Sequence, residues 1–269
     1  MNIKSLLTRS LSGLIYVGII IGAIFWGRYP FGLLACLFGI LATLEFKSIC
    51  NDSNIKSVPA LILDCIGVCC LALGWMVFPL YIWACIYICR LVMELYLKHP
   101  NPIRNLSLSL MTQLYIGFPL GAMTFIGETY SLHFVLAIFL MIWINDTGAF
   151  IVGCSIGRHR LFERISPKKS WEGFFGGLIF NLLTGWLFAI GGGSFWGVTW
   201  SIPIWLFFGA LVTIFSTWGD LIESLLKRSL GIKDSGKIIP GHGGILDRID
   251  SLLLVMPAAM LFLLFLEMA

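Results

Sequence analysis

Long apolar stretches alternate with short polar connections along the whole chain. An apolar run of roughly 17–25 residues is long enough for an α-helix to cross a lipid bilayer. The second run is short unless it extends through Glu45, and the eighth carries Asp220 and Glu223 near its end. The pattern predicts about nine membrane-spanning helices: Leu11–Trp26, Phe31–Leu44, Val58–Trp75, Val77–Leu95, Leu106–Ile126, Leu132–Val152, Gly173–Ile190, Ile202–Leu226 and Leu252–Met268.

The composition agrees with a membrane protein. Of the 269 residues, 58% are hydrophobic and only 12% are charged, and the mean hydropathy is +0.93. A soluble domain of this length is far more polar. The first run is not a cleaved signal peptide, because Ile20–Arg28 has no small-residue cleavage pattern and eight more runs follow. We therefore predict an all-α fold, a polytopic integral membrane helical bundle.

The basic residues predict an orientation, because Lys and Arg beside membrane spans stay on the cytoplasmic face. With a cytoplasmic N-terminus, sixteen of the 18 basic residues fall on that face, leaving Arg28 outside and Arg90 within a span. We expect the C-terminus outside, across a cell (inner) membrane. The cytoplasmic set is Lys4, Arg9, Lys47, Lys56, Lys98, Arg104, Arg158, Arg160, Arg164, Lys168, Lys169, Lys227, Arg228, Lys233, Lys237 and Arg248.

Two cytoplasmic connections, residues 153–172 and 227–251, are the longest and most polar. An active site is therefore expected there, facing the cytoplasm. Residues 131–269 are predicted to form a catalytic membrane region. Residues 1–130 are predicted to hold the N-terminal helices, which face lipid or a second subunit.

Eight cysteines and several charged residues lie in or near the apolar runs. No Cys-x-x-Cys pattern occurs, so the cysteines are interpreted as reduced packing residues without a function. Arg90 and Glu94 stand one helical turn apart and are expected to neutralise each other. Asp64 is expected either to line a wet cavity or to pair with Arg90.

Polar side chains converge where the last two apolar runs meet their connection. Asp220, Ser224 and Lys227 follow one another at i, i+4 and i+7 and so share one face of a helix. Asp247 and Asp250, at i and i+3, share a face just before the last run. The connection therefore joins two helix ends that carry carboxylates.

These residue types suit a metal ion and an anionic substrate. Mg²⁺ typically holds one or two carboxylates plus substrate phosphates, and basic side chains meet the remaining charge. Gly243 and Gly244 would let the backbone approach such a ligand and adopt positive φ. A loop that only fixes topology would explain the basic residues but not Asp220 within a span, where an ionisable group costs about 2.5–3.5 kcal/mol. We predict a nucleotide or pyrophosphate ligand.

Two blocks of residues in the C-terminal half match known motifs. The first is Ser224-x-Leu226-Lys227-Arg228, then Lys233-Asp234-x-Gly236, then Pro240-x-His242-Gly243-Gly244-Ile245-x-Asp247-Arg248-Ile249-Asp250. The second is Asn145-Asp146-Thr147-Gly148-Ala149-Phe150, Gly153, Gly157, Arg158 and Ile165-Ser166-Pro167-Lys168-Lys169-Ser170-Trp171-Glu172-Gly173. Together they resemble the phosphatidate cytidylyltransferase family, also called CDP-diacylglycerol synthases, with Ser170 where Thr is commoner. The N-terminal runs resemble the family only in being apolar.

The resemblance implies that CTP and phosphatidic acid react to CDP-diacylglycerol and pyrophosphate, in phospholipid biosynthesis. Asp220 and Asp247 are then expected to bind catalytic Mg²⁺, with a second metal ion as an option, and to act together with Lys227 and Arg248. Other substrate contacts are expected from Lys168, Lys169, Ser170, Ser224, Arg228, Lys233, Gly243, Gly244 and Asp146. His242 is expected to orient a phosphate or to support its turn.

Two of these roles stay open at the level of sequence. Ser224 either ligates the metal or a phosphate, or bonds only its own helix backbone. Asp146 interrupts an apolar run and has three readings: a second metal ligand, a partner for Arg158 or Lys168, or the cap of a broken helix.

Two other functions compete with the cytidylyltransferase. A CTP-dependent polyprenol or phytol kinase would transfer the γ-phosphoryl group, and a secondary transporter would spread charge across the membrane and show an internal repeat. The complete signature and the one-sided clustering of polar residues favour the cytidylyltransferase. No Walker A pattern occurs, so ATP-driven transport is not expected. The expected partners are CTP, phosphatidic acid and membrane lipids, without nucleic acid, and the resemblance implies a homodimer.

Overall fold

The computed structural model describes residues 3–50, 57–74, 80–236 and 243–268, and these residues are almost entirely helical. A π-helical segment, Gln113–Gly117, joins α5 to α6, and the two strands are β1 (Arg160–Phe162) and β2 (Ser166–Ser170). The α-helices are α1 (Ile3–Trp26), α2 (Arg28–Ile49), α3 (Val58–Leu73), α4 (Leu80–Leu97), α5 (Pro102–Thr112), α6 (Phe118–Thr129), α7 (Leu132–Ile156), α8 (Trp171–Gly191), α9 (Ile202–Ser229), α10 (Leu246–Ile249) and α11 (Leu252–Met268).

Seven stretches of the described chain are long and apolar enough to cross a membrane. Two apolar helices are shorter, Leu11–Trp26 of α1 and Val58–Leu73 of α3. Each predicted apolar run falls on one of these stretches, so the chain is a polytopic helical membrane protein, while nine crossings stay a prediction. The seven stretches are Arg28–Ile49, Leu80–Leu97, Pro102–Thr129, Leu132–Ile156, Trp171–Gly191, Ile202–Ser229 and Leu246–Met268.

The connection predicted at residues 153–172 contains a small sheet. Helix α7 continues to Ile156, and β1 then pairs antiparallel with β2, with Arg160 opposite Ser170. The predicted helical fold class is therefore confirmed, with this hairpin as its exception among the described residues. Pairing of the two strands satisfies backbone N–H and C=O groups that helices cannot serve in so short a connection.

Two helices run further than the sequence predicts. Asn145 and Asp146 lie within the continuous α7, so the reading of Asp146 as the cap of a broken helix is wrong. Asp and Asn lower helix propensity by well under 1 kcal/mol, about 0.7 at most, which packing easily overrides. Helix α9 extends to Ser229, which places Lys227 and Arg228 in its last turn, where basic side chains interact favourably with the helix dipole.

The chain divides into two compact units. The first comprises Met1–Glu128 and Asp234–Ile249, and the second comprises Thr129–Lys233 and Asp250–Ala269. The sequence places a boundary after residue 130, close to the first of these divisions. The sequence does not predict that Asp234–Ile249 belongs to the first unit.

A buried charge network joins four helices of the first unit. Asp64 on α3 pairs with Lys47 on α2, accepts a hydrogen bond from Ser109 on α5, and lies 3.6 Å from Arg90 Nε on α4. Arg90 Nη1 donates to Glu94 at 2.8 Å, as the sequence predicts, and Asp64 pairs with Arg90. Lys47, in the last turn of α2, is fully buried, and its predicted cytoplasmic side stays a prediction. The two cations, Lys47 and Arg90, and the two carboxylates have a formal net charge of zero, which limits the free-energy cost of burying them.

The second unit is fixed at one end by aromatic packing. The rings of Phe134 on α7 and Phe208 on α9 lie 5.4 Å apart, with Trp205 beside them, and all three side chains are fully buried. Asn181 of α8 donates to Thr213 of α9 at 3.0 Å, an interhelical bond typical of membrane proteins. At 1.5 Å per residue, the aromatic contacts of α9 lie about 20 Å before the polar end of the helix.

Candidate functional site

Three carboxylates converge in the second unit. Asp220 and Glu223 lie on one face of α9, and Asp250 lies in the turn that precedes α11. One oxygen from each side chain lies within 4.8 Å of the others. The charge of Asp146 also acts on Asp250, together with those of Asp220 and Glu223. The cluster therefore concentrates negative charge between the end of α9 and the start of α11.

A glycine lets these two elements approach each other. A Cβ atom at Gly219 would lie 2.7 Å from the Asp250 carbonyl oxygen and 3.0 Å from the Ser251 Cα. Ser251 Oγ donates to the Ser216 carbonyl oxygen at 3.2 Å. Any larger residue at position 219 would push Asp250 away from α9.

Two lysines partly neutralise the cluster. Lys169 Nζ, on β2, lies 2.6 Å from Asp220 Oδ2 and donates to the Thr217 carbonyl oxygen at 3.3 Å. Lys227 Nζ lies 2.6 Å from Glu223 Oε2, one turn along the same helix. Three carboxylates against two ammonium groups leave the cluster with a formal excess of negative charge, and Asp146 adds to it.

Ser224 is directed at the cluster. Its Oγ donates to Asp220 Oδ1 at 3.2 Å, so this hydroxyl orients a carboxylate rather than bonding its own helix backbone. The predicted helical face of Asp220, Ser224 and Lys227 is thus confirmed, and Glu223 adds a fourth polar group to it.

The cluster has the geometry and chemistry to hold a hard divalent cation. Mg²⁺ binds oxygen ligands at about 2.0–2.1 Å, so two ligands on opposite sides of the ion stand roughly 4.2 Å apart. One oxygen from each of the three carboxylates lies within 4.8 Å of the others, so small side-chain rotations bring all three within reach of one ion. The excess negative charge also suits a cation.

Other predicted basic residues lie around the end of α9. Arg228 Nη1 donates to the Ile232 carbonyl oxygen at 3.0 Å and Nε to the Ile165 carbonyl oxygen at 3.4 Å, which ties the helix end to the hairpin. Lys168 and Lys233 are exposed. Both exposed ammonium groups are accessible to an anionic ligand.

Ser170 fixes the junction between β2 and α8. It is buried, and its Oγ accepts the backbone N–H of Gly173 at 3.2 Å, the geometry of a helix N-cap. Glu172, in the first turn of α8, lies 2.6 Å from His159 Nδ1. The capped helix start therefore sets the position of Lys169, the residue immediately before the cap.

The signature residues Asp247 and Arg248 belong to the first unit. Asp247 Oδ2 accepts the backbone N–H groups of Ser235 at 3.0 Å and Gly244 at 2.8 Å. The Arg248 carbonyl oxygen accepts the Tyr16 hydroxyl at 3.1 Å. We call Asp234–Ile249 the signature segment. Within it, Asp247 joins Ser235 to Gly244, and the Arg248 carbonyl oxygen ties the segment to α1.

The glycines of this segment have defined steric roles. Gly243 has φ of +86°, which confirms the predicted positive φ, and a Cβ there would also collide with the Asp247 carboxylate. A Cβ at Gly244 would collide with Ser235 Oγ. His242 lies outside the described residues, and the predicted substrate contacts of this segment stay predictions.

Sequence reasoning missed three residues that the structure makes prominent. Glu223 and Asp250 complete the carboxylate cluster, and their signal was present, since both lie three residues from an aspartate chosen as a ligand. Glu45, on α2, binds the signature segment through its carboxylate. No pattern in the sequence connects residues so far apart along the chain.

Comparison with known proteins agrees with the sequence motifs. The cytidylyltransferase family model matches residues 7–266. A protein named phosphatidate cytidylyltransferase from Staphylococcus aureus (strain COL) is 36% identical over 239 residues, covering 84% of this chain and 88% of the relative. Proteins of the same name from Staphylococcus saprophyticus and Staphylococcus haemolyticus are 37% identical over 239 residues, with the same coverage, and 44% identical over 151 residues, 55% of each chain.

Proposed function

Because this chain belongs to the cytidylyltransferase family, we propose that it transfers the cytidylyl group of CTP to phosphatidic acid, giving CDP-diacylglycerol and pyrophosphate. The observation that carries the proposal is the cluster of Asp220, Glu223 and Asp250 with Lys169 beside it, at the polar end of an apolar helix. Such a site suits a triphosphate and a lipid phosphate. The shared name of the relatives supports the same reaction.

The reaction is a substitution at phosphorus. An oxygen of the lipid phosphate forms a bond to the α-phosphorus of CTP, and the bond from that phosphorus to the oxygen bridging the α- and β-phosphates breaks. Pyrophosphate leaves with the electron pair. A phosphate monoester is already nucleophilic near neutral pH, so no strong base is required. Because both reactants are anions, the protein has to neutralise charge and align the attacking and leaving oxygens.

Asp220, Glu223 and Asp250 are the residues proposed to hold Mg²⁺. When bound there, the ion would offset charge on the triphosphate and on the leaving pyrophosphate. Ser224 orients the Asp220 carboxylate toward this position, and Lys227 limits the repulsion between Glu223 and its neighbours. Asp247 as a further ligand, and a second metal ion, rest on the sequence motif alone.

Basic side chains are proposed to bind the phosphates. Lys169 has three N–H donors, two of which face Asp220 and the Thr217 carbonyl oxygen, so the third can bind a phosphate oxygen while the ion pair is kept. Ser170 acts by fixing this lysine through the α8 cap. The further basic candidates are Lys168, Lys227, Arg228, Lys233, Arg248 and His242, with the guanidinium groups suited to bidentate contact. Gly243 and Gly244 are proposed to contact the substrate through their backbone, and Asp146 is kept as a proposed substrate-site residue from the motif.

The proposal includes a membrane arrangement. Nine helices cross the inner membrane, with the N-terminus and the site on the cytoplasmic side and the C-terminus outside, as the distribution of basic residues supports. Phosphatidic acid then enters laterally from the bilayer and CTP enters from water. A homodimer follows from the family resemblance.

The test is an assay of the purified, detergent-solubilised protein with phosphatidic acid, Mg²⁺ and CTP labelled separately at the α- and γ-phosphates. With α-labelled CTP, the label is expected in the lipid and the released pyrophosphate is unlabelled. With γ-labelled CTP, the label is expected in the pyrophosphate. Label from the γ-phosphate in the lipid would mean a CTP-dependent kinase. No transfer of either label would overturn the enzyme proposal and favour a transporter. Asp220→Asn serves as the inactive control.

A further inference from the structure

Glu45 is a buried carboxylate that binds the signature segment. It lies on α2 with 6% of its surface exposed. Its Oε1 accepts the Ile245 backbone N–H at 2.9 Å, and its Oε2 accepts the Leu246 backbone N–H at 2.9 Å and the Ser235 hydroxyl at 3.2 Å. A buried carboxylate is very costly unless hydrogen bonds compensate it, so these donors define where the segment can lie.

The segment fits closely around this carboxylate. A Cβ at Gly236 would lie 2.6 Å from Glu45 Oε1, and one at Gly244 would collide with Glu45 Oε2. Only residues without a side chain allow the backbone to approach so near. The two glycines and the three donors therefore form a cradle for one carboxylate.

The same donors are linked to Asp247. Ser235 gives its hydroxyl to Glu45 and its backbone N–H to Asp247, and Gly244, which also donates to Asp247, directly precedes Ile245. Glu45 and Asp247 thus bind the same two pieces of backbone. Displacing Glu45 would shift the backbone that orients Asp247 and the following residue, Arg248.

We infer that Glu45 is a positioning residue, which together with Asp247 presets the signature backbone so that Arg248 meets the phosphates of CTP. The inference rests on the proposed function, because it assigns Arg248 to the nucleotide. Glu45 acts through this backbone and takes no part in bond making. Loss of its contacts is expected to impair use of CTP and to leave recognition of the lipid substrate unchanged.

The experiment compares Glu45→Gln with Glu94→Gln in the full-length purified protein. Glu94 is a matched control, because it is also buried in the first unit and accepts hydrogen bonds, from Arg90 at 2.8 Å and Asn105 at 3.2 Å. A glutamine at position 45 keeps the shape but turns an NH₂ group toward backbone N–H donors. We expect kcat/KM for CTP to fall by about 10- to 100-fold, as a misplacement of about 1 Å does, with KM for phosphatidic acid within about twofold of the wild-type value.

A second measurement does not depend on activity. Hydrogen exchange is expected to speed up in Glu45→Gln by at least about tenfold relative to Glu94→Gln at the Ile245 or the Leu246 amide, because the glutamine NH₂ group replaces the acceptor of one of the two. Ser235→Ala, which removes one donor and keeps the carboxylate, is expected to reduce kcat/KM for CTP by a smaller factor in the same direction. It keeps the inference testable if Glu45→Gln does not fold.

The inference is overturned if Glu45→Gln and Ser235→Ala lose thermal stability like Glu94→Gln but keep the wild-type kcat/KM for CTP. Equal losses for CTP and phosphatidic acid would also overturn it. If the wild-type protein transfers no cytidylyl group, the proposed function fails instead, and the amide exchange still reports whether Glu45 holds the segment.

Discussion

Lys169 and Asp220 form an ion pair with an Nζ–Oδ2 distance of 2.6 Å, which joins the hairpin to the polar end of α9. Both side chains are partly exposed, 24% and 35%, so the pair borders solvent. Lys169 directly precedes the Ser170 cap of α8, and Asp220 belongs to the carboxylate cluster. A single contact therefore links a proposed phosphate ligand to a proposed metal ligand.

Replacing Lys169 with alanine is expected to weaken substrate binding more than turnover. Losing a charge-assisted hydrogen bond costs about 1.5–3 kcal/mol, so kcat/KM should fall by roughly 10- to 100-fold, mainly through KM for CTP or for phosphatidic acid. Steady-state kinetics with each substrate varied in turn give the answer. Arg164→Ala, which removes an exposed charge from the same hairpin, is the control. Unchanged KM values for both substrates would exclude Lys169 as a substrate-binding residue.

Neutralising Asp220 or Asp250 is expected to raise the Mg²⁺ requirement. Each substitution to asparagine removes one negative charge from the ligands of the proposed ion. A metal ion stabilises transition-state charge by several kcal/mol, so its weaker binding should reduce kcat/KM by at least about 100-fold. The measurement is a Mg²⁺ titration of cytidylyl transfer. Glu163→Gln, an exposed carboxylate of the hairpin, should behave like the wild type. Near-normal turnover in Asp220→Asn or Asp250→Asn would exclude that residue as a ligand.

Asp247→Asn separates two roles for that residue. The sequence motif predicts a metal ligand, for which the asparagine variant should be almost inactive and need more Mg²⁺. The structure gives Asp247 two backbone donors, from Ser235 and Gly244. A variant with reduced kcat/KM for CTP at an unchanged Mg²⁺ requirement would show that Asp247 positions the segment and does not ligate the ion.

Gly243→Ala is expected to damage the protein more than Gly231→Ala. Both glycines have positive φ, +86° and +71°, so each alanine carries a backbone penalty of about 1–2 kcal/mol. A Cβ at Gly231 meets open space, whereas one at Gly243 collides with the Asp247 carboxylate. Thermal unfolding and kcat/KM for CTP should therefore both drop further for Gly243→Ala. Equal effects of the two substitutions would mean that the collision is relieved without consequence.

In the buried charge network of the first unit, replacing one partner of an ion pair should reduce the stability of the protein more than replacing both. Asp64→Asn leaves Lys47 buried without its carboxylate and is expected to destabilise the protein by about 3–5 kcal/mol. Replacing both partners, Lys47→Met with Asp64→Leu, should cost less than the single change. Thermal unfolding in detergent measures both. A double variant as unstable as Asp64→Asn would contradict the idea that the uncompensated charge is the cause.

Much of the fold follows from hydropathy alone, because a helix that crosses lipid requires a long apolar run. The pairing of Arg90 with Glu94 was also predictable, since the two residues stand one turn apart. The burial of Lys47 was not predictable, because a lysine at the end of an apolar run resembles a solvated flank. Only packing reveals that Asp64, on another helix, draws it into the interior.

The site divides in a similar way. The face of Asp220, Ser224 and Lys227 was predictable from helical spacing, and the motifs directed attention to the right connection. The sequence does not reveal that Ser170 caps α8 or that Lys169 contacts Asp220, because β2 and α9 are remote along the chain. Local spacing predicts local geometry, and tertiary contacts need the structure.

Glu45 and Ile245 are 200 residues apart along the chain, yet they are hydrogen-bonded. During synthesis, α2 enters the membrane long before the ribosome has made the donors that its carboxylate requires. The hydrogen bonds that compensate the burial of Glu45 are therefore among the last contacts of the first unit that can form. The order of synthesis thus makes the closing of this cradle a late step in the folding of α2.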